Sequence, residues 1–254
     1  GASLLTAAGM LRLFPVVLVA GLGLWALVQW ARRASVVPAR RVLAGILLTL
    51  TLGTAVALPI TGAASFADFA RVAQRHSGSP SANRLGLATL VSWTPLANSP
   101  QLFDARLTDP ADPWRALVLQ TRHQRAPLLW FAIAASFGLL ALMAWRGAAP
   151  AQCVAAAGLL LFSLQDMTSY DYAWLLALVP LWMERPRLRL WGLASIAAVQ
   201  ALTLLLPDIG EAHVGYAVVL TSYFAYLAVK LYREHLVSPS APSSPATPAP
   251  PAVP

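Results

Sequence analysis

Three polar residues in one short segment have side chains that can bind a phosphate group. His76, Asn83 and Arg84 lie in residues 65–93, a stretch too polar to cross a membrane although apolar segments precede and follow it. Histidine can act as a general acid or base or donate a hydrogen bond to a phosphate, and arginine adds charge-assisted hydrogen bonds. The alternative is that His76 is a solvated histidine at the membrane surface and that Asn83 and Gly86 only form a turn before a helix.

A second polar segment, QDMTSYDY at residues 165–172, separates two apolar runs. Its carboxylates, Asp166 and Asp171, and its tyrosines, Tyr170 and Tyr172, could position an acceptor hydroxyl group or bind a divalent metal ion. Tyrosines are also common at membrane interfaces, and aspartate often caps the start of a helix. The apolar segment that follows is short, which favours a nearby cavity.

Arg12 is a charged residue inside an apolar segment, three residues before Pro15. A charge near the centre of a membrane helix costs about 2.5–3.5 kcal/mol unless it faces a protein interior, a wet cavity or an anion. Arg12 therefore either binds the phosphate of a lipid-linked substrate or extends to the outer headgroups from a span that begins near Leu13.

The composition is that of an integral membrane protein. Of the 254 residues, 58% are hydrophobic and only 11% are charged, and the mean hydropathy is +0.63. The net charge of +8 is explained by arginines in cytoplasmic loops, and we predict no nucleic-acid partner because no DNA- or RNA-binding motif accompanies the charge. The single cysteine, Cys153, lies in an apolar segment and excludes a disulfide framework or a cysteine-based metal site.

Seven apolar segments predict an all-α, polytopic transmembrane helix bundle. They are residues 4–30, 42–60, 128–145, 147–164, 172–183, 190–206 and 214–232. The connections after the first, third, fifth and seventh segments are basic, and their charged residues are Arg32, Arg33, Arg40, Arg41, Arg146, Arg185, Arg187, Arg189, Lys230 and Arg233. The positive-inside rule makes these connections cytoplasmic. Residues 61–127, 165–171 and 207–213 are then predicted to share the outer side.

The long outer loop, residues 61–127, is predicted to contain helices that lie at the membrane interface. Phe66, Phe69 and Val72 recur at helical spacing, while Asp68 and Arg71 occupy the other face. At the end of the loop, a second amphipathic segment leads into the third span. We expect its basic residues to contact lipid headgroups, and they are Arg115, Arg122 and Arg125.

The two ends of the chain differ in character. Residues 1–236 form the predicted membrane domain, and residue 1 falls on the outer side. Because the chain begins with Gly and has no signal peptide, we expect further spans upstream, so that this chain is the carboxyl-terminal part of a larger protein. Residues 237–254, rich in Pro, Ser and Ala, are expected to form a disordered cytoplasmic tail.

Several of these features occur in a characteristic order. RLFPVVLVA contains Arg12 and Pro15, FADFARVAQRH ends at His76, and SANRLGLATL contains Asn83 and Gly86. A tyrosine-rich start of a later span follows them. This pattern resembles the carboxyl-terminal half of polytopic GT-C type glycosyltransferases, in particular the bacterial mannosyltransferase-like group that uses polyprenyl-phosphate mannose.

The resemblance implies inverting transfer of a sugar from a polyprenyl-phosphate donor to an acceptor on the outer face of a bacterial plasma membrane. The implied partners are the donor, membrane lipids and the missing amino-terminal part of the protein. The usual catalytic acidic residue would lie upstream of residue 1. The substrate-binding residues in this chain would be Arg12, His76, Asn83, Arg84, Asp166, Tyr170, Asp171 and Tyr172.

The alternative function is that of a transporter or flippase half, or of a structural subunit of a membrane complex. Transporters concentrate polar and broken-helix residues near the middle of the bilayer. In this sequence such residues concentrate at the predicted outer edge, which favours the transferase.

Overall fold

The described part of the chain is helical, with one pair of very short strands. The computed structural model describes residues 3–4, 6, 13–78, 80, 84–95, 102–164, 167–168, 175, 178–205 and 209–236. The elements from Leu13 onward are α1 (Leu13–Ala31), α2 (Val36–Thr61), α3 (Ala63–Gly78), β1 (Arg84–Leu85), α4 (Leu87–Ser92), α5 (Asp112–Gln124), α6 (Ala126–Trp145), α7 (Pro150–Leu164), β2 (Met167–Thr168), α8 (Val179–Glu184), α9 (Pro186–Leu205) and α10 (Ile209–Leu236).

Helices α1, α6 and α7 form one packed group, and α2 lies against α1. Small residues bring α1 and α7 close together. A Cβ atom on Gly21 would lie 2.7 Å from the Cβ of Ala157 and 2.9 Å from the carbonyl oxygen of Cys153. Both distances are far inside van der Waals contact, so only glycine fits at position 21. The close approach of α1 and α7 at this point therefore requires glycine at position 21.

Helices α8, α9 and α10 form a second group, which joins the first where α10 meets α6 and α8 meets α7. The indole nitrogen Nε1 of Trp182 donates a hydrogen bond of 2.6 Å to the hydroxyl of Tyr223. Gly192 of α9 gives the Trp182 ring its space, because a Cβ there would approach that ring to 2.7 Å. Phe162 of α7 stacks on Phe224 of α10 with ring centroids 4.8 Å apart.

Three helices within the described part of the chain are long and apolar enough to cross a membrane: α2, α6 and residues His213–Leu236 of α10. Two shorter apolar helices accompany them, Val16–Ala31 within α1 and Pro150–Leu164. These helices indicate a membrane protein. The predicted third and fourth spans, residues 128–145 and 147–164, correspond closely to α6 and α7.

The predicted fifth span, residues 172–183, is represented among the described residues mainly by α8. This helix has six residues, or about 9 Å of axial length, and cannot cross a bilayer alone. Residues 172–174 and 176–177 lie outside the described residues, as does the predicted tail, 237–254. The count of seven spans therefore stays a prediction.

Polar contacts join helix ends at one end of the bundle, which we call the basic end because Arg32, Arg146, Arg185 and Lys230 lie there. The Arg32 guanidinium lies 4.8 Å from the centroid of the Trp145 ring, and Gln29 donates a 2.5 Å hydrogen bond to the Ala144 carbonyl. The connections that the sequence marks as basic thus gather at one end.

Helix α3 is the predicted amphipathic helix, and it packs mainly against α2. Gly62, with φ of 78°, separates the two helices. The apolar side chains of α3 are exposed, Phe69 at 59% and Val72 at 62%, and Asp68 pairs with Arg71 at 2.9 Å. The amphipathic pattern is therefore present without a protein partner for its apolar face among the described residues. A lipid surface would suit that face.

Candidate functional site

The two polar segments that the sequence singles out meet through their backbones. Strand β1 pairs with β2 in antiparallel register, Arg84 opposite Thr168 and Leu85 opposite Met167. β1 belongs to the segment of His76 and Asn83, and β2 lies inside the segment 165–172. The pairing therefore joins two candidate segments that are about eighty residues apart in sequence. We call this end of the bundle the strand end.

The structure describes only part of the predicted site. The backbone of His76 lies in the last turn of α3 and that of Arg84 in β1, while their side chains lie outside what is described. The other predicted substrate-binding residues lie outside the described residues altogether, and they are Arg12, Asn83, Asp166, Tyr170, Asp171 and Tyr172.

The first residue of α1 lies near the same end. Gly21 packs opposite Cys153 and Ala157, and Trp25 donates a 3.0 Å hydrogen bond to the carbonyl of Ala148. The two helices are therefore antiparallel. Moving eight residues back from Gly21 to Leu13 corresponds to moving forward along α7 to its last turn at Leu164. Helix α1 begins beside the point where α7 ends, shortly before β2.

Helix α4 holds β1 in place. It directly follows β1 and packs against α5, α6, α7 and α10. Gly86 joins the strand to the helix with φ of 136°, a conformation that favours glycine. The Arg125 guanidinium donates hydrogen bonds to the carbonyls of Val91, at 3.2 Å, and Trp93, at 3.0 Å. This arginine covers the carboxyl end of α4, where a positive charge is stabilising.

Two of the basic residues that we expect to contact headgroups also bind protein groups of this loop. Arg125 is bound to the backbone carbonyls after α4. Arg115 forms ion pairs with Asp109 and with Asp112, the latter at 2.8 Å. Its hydrogen bond lowers the pKa of the Asp109 carboxyl below the ordinary value, and the two carboxylates raise the pKa of Arg115. Both arginines organise the loop itself.

Sequence analysis missed a buried histidine at this end. His213 lies near the start of α10, is only 7% exposed, and its ring centroid is 5.1 Å from that of Tyr216, itself 3% exposed. The sequence places His213 only at the boundary of a predicted connection. The available signal was a lone histidine three residues before a tyrosine at the start of an apolar segment.

Metal binding has no support among the described side chains, where no group of three or more His, Cys, Asp or Glu could hold an ion. The carboxylates predicted for a divalent metal, Asp166 and Asp171, lie outside that part of the chain. The possibility of a metal at the polar segment 165–172 stays a prediction.

No family model matches this chain, and neither a curated protein nor a solved structure matches it.

Proposed function

We propose that this chain is part of an integral membrane glycosyltransferase that moves a sugar from a polyprenyl-phosphate donor to an acceptor on the non-cytoplasmic face. The proposed topology has seven spans, with the strand end outside and the basic end in the cytoplasm. The membrane would be the bacterial plasma membrane.

The observation that carries this proposal is the pairing of Arg84 with Thr168. It joins a segment with residues suited to phosphate, His76 and Arg84, to a segment rich in carboxylates and tyrosines. A sugar transfer needs both: donors for the phosphate, and groups that orient the attacking hydroxyl. The start of α1 near the same end adds Arg12 as a third candidate for the phosphate.

In the proposed reaction, the acceptor oxygen attacks the anomeric carbon, and the bond from that carbon to the phosphate oxygen breaks. The polyprenyl phosphate leaves with the bonding electrons, and the configuration inverts. Arg12, His76 and Arg84 would stabilise the charge that develops on the phosphate. Tyr170 and Tyr172 with the neighbouring aspartates would orient the acceptor, whose proton passes to a base expected upstream of residue 1.

The distribution of buried polar residues favours a site at the membrane edge over a transport path. Gln29, Ser92, Thr121 and His213 are buried, and each lies within five residues of a helix end. The remaining buried polar side chain of the described residues, Thr6, precedes α1. A transporter would place polar groups near the middle of its spans.

Substitution of the three phosphate candidates tests the proposal. In the full-length protein, Arg12→Ala, His76→Ala and Arg84→Ala should each reduce donor use by about tenfold to a hundredfold, because a hydrogen bond to a charged group is worth about 1.5–3 kcal/mol. Arg12→Lys should recover part of the loss, since a point charge still attracts phosphate. Transfer of radiolabelled sugar from polyprenyl phosphate in membrane vesicles measures the effect.

Arg71→Ala is the matched control, because Arg71 is exposed in the same loop and pairs with Asp68. It should leave transfer unchanged. Unchanged transfer in all three candidate variants, with each protein folded in detergent, would remove the proposed site. Efflux of a solute from vesicles without any sugar transfer would favour the transporter instead.

The proposed topology makes a separate prediction about accessibility. Cysteines placed at two exposed positions, Ala105 in the outer loop and Ala34 at the basic end, should react differently with a membrane-impermeant maleimide. In intact cells, Ala105→Cys should be labelled and Ala34→Cys should not. Cys153 is buried and is replaced by Ala in both proteins.

After the cells are broken, both cysteines should be labelled, which shows that each site is reactive. Ala39 would be a poor inner position because its side chain is completely buried. Equal labelling of both positions in intact cells would contradict the seven-span topology.

A further inference from the structure

We propose that His213 is a further substrate-binding residue, which donates a hydrogen bond to the phosphate of the polyprenyl-linked sugar. The inference rests on the proposed glycosyltransferase function and adds a fourth chain segment to the same site. It joins the start of α10 to the segments that contain Arg84 and Thr168.

The position of His213 along the bundle follows from two contacts of α10. Near its carboxyl end, Glu234 accepts a 2.8 Å hydrogen bond from Arg185 at the basic end. Further back, Phe224 stacks on Phe162, two residues before α7 ends. His213 lies eleven residues before Phe224, or about 16 Å further along the helix axis. This distance carries it past the end of α7 to the level of the strand end.

The neighbours of α10 agree with this placement. Helix α10 packs against both β1 and α4, and these elements carry and position Arg84. Glu234 lies at the basic end and Phe224 lies beside the last turn of α7, so the residues of α10 that precede Phe224 extend toward the strand end. His213 and the strand pair therefore occupy the same region of the molecule.

The chemistry of a buried histidine suits a phosphate ligand. His213 is 7% exposed and its ring is tilted by 55° against Tyr216, so a fixed neighbour restricts its orientation. An imidazole has at least one N–H donor in either protonation state. Ionisable residues in membrane helices are costly to keep and usually mark sites of function. An apolar residue of similar size could fill the same space without that cost.

Binding of a phosphate-bearing lipid tests this assignment. The full-length protein is placed in nanodiscs of phosphatidylcholine, and two probes are titrated: a long-chain polyprenyl phosphate and the matching polyprenol, which lacks the phosphate. His213→Gln should weaken binding of the phosphate by about tenfold to a hundredfold and leave binding of the polyprenol unchanged. Arg84→Gln should have the same selective effect.

His235→Gln is the matched control, because His235 is a histidine of the same helix at the basic end. It should change neither affinity. If His213→Gln weakens both probes equally, His213 only supports the fold and the assignment is wrong. If His213→Gln binds both probes like the wild type while Arg84→Gln no longer binds polyprenyl phosphate, the assignment of His213 fails and the proposed function stands. If the wild type does not prefer the phosphate to the polyprenol, the proposed function fails, and the role of His213 falls with it.

A measurement on a protein with native His213 covers the case in which His213→Gln does not fold. In protein labelled with ¹⁵N-histidine, the single substitutions His76→Gln, His123→Gln and His235→Gln each remove the ring resonances of one histidine of this chain. The ring resonances of the fourth histidine of this chain, His213, remain in all three variants. Polyprenyl phosphate should shift these resonances and polyprenol should not. Identical spectra with both probes would overturn the assignment.

Discussion

The two ends of the bundle use the same kind of ion pair for different purposes. At the basic end, the Arg185 guanidinium bonds Glu234 of α10 at 2.8 Å, and the two side chains are 16% and 29% exposed. At the strand end, Arg115 pairs with Asp109, and these side chains are 29% and 50% exposed. The first pair joins the start of α9 to the end of α10, whereas the second lies within one loop.

The difference shows how each end is held. Glu184 accepts a hydrogen bond from Gln152 of α7 and pairs with Arg185 at 3.3 Å, and Lys230 pairs with Glu234 at 3.7 Å. These side chains therefore connect α7, α8 and α10 through Arg185, the residue between α8 and α9. The strand end is held by backbone pairing of β1 with β2 and by Arg125 on two backbone carbonyls. Side-chain contacts thus hold the basic end, whereas backbone groups hold the strand end, where the proposed site lies.

The tight packing between the ends gives the largest predicted effect. Gly21→Ala should lower the free energy of unfolding by about 1–3 kcal/mol, the usual cost of overpacking, because the new methyl group meets Ala157 and the backbone of Cys153. Thermal unfolding in detergent measures the loss.

Gly138 is the matched control for this substitution. It lies in α6, where an added Cβ meets nothing within 4 Å. Gly138→Ala should therefore raise the free energy of unfolding by about 0.5–1 kcal/mol, because alanine has the higher helix propensity. Equal changes at the two glycines would mean that α1 and α7 do not pack as closely as described. In that case no tightly packed core would separate the two ends of the bundle.

The ion pair at the basic end should be worth less than this packing. Arg185→Gln should lower the free energy of unfolding by about 1–2 kcal/mol. This value lies between the small effect of breaking an exposed ion pair and the roughly 3–5 kcal/mol lost when a buried pair is broken. A double-mutant cycle with Glu234→Gln isolates the interaction.

Arg187→Gln provides the control, since Arg187 is an exposed arginine in the first turn of α9, and it should change the free energy of unfolding by less than about 0.5 kcal/mol. Sugar transfer by folded Arg185→Gln protein should equal that of the wild type. A selective loss of transfer without a loss of stability would show that the basic end is not merely structural.

The sequence predicted which helices are present better than it predicted where each helix begins and ends. Apolar length located α6 and α7 within three residues, because their ends coincide with Arg125, Arg146 and Pro150. Helix α2 begins six residues before the predicted span because its first turns include Arg40 and Arg41. A hydropathy pattern detects the apolar part of a helix and does not register a helix that continues into polar residues.

The site was predictable only in part. The residue types identified the segment of His76 and the segment of Asp166 as candidates. That these two segments meet depends on the pairing of β1 with β2, and each of these strands has only two residues. Such a short pair has no alternating pattern that sequence could reveal. The sequence placed His213 on the same side as Arg84 but did not single it out, because its burial and its contact with Tyr216 become visible only once α10 is packed.

The exposed pair at the strand end gives the smallest predicted effect, and it appears in pH dependence. Arg115 lowers the pKa of Asp109, so the order that this pair gives to the loop is fully present above the unfolded pKa of aspartate, about 3.9. That order is lost only as the pH falls through the lower folded pKa. The Asp109 carboxylate accepts a hydrogen bond of 3.1 Å from the Ala111 amide, so the Ala111 amide shift in NMR spectra should titrate with a midpoint below 3.9. Arg115→Gln should move the midpoint upward toward the ordinary value, and Asp109→Asn should abolish the step.

Neither change should alter the global melting temperature measurably, because solvent screens this pair. A midpoint that Arg115→Gln leaves unchanged would show that the pair does not form. A large loss of global stability would show that the two ends are held by the same means.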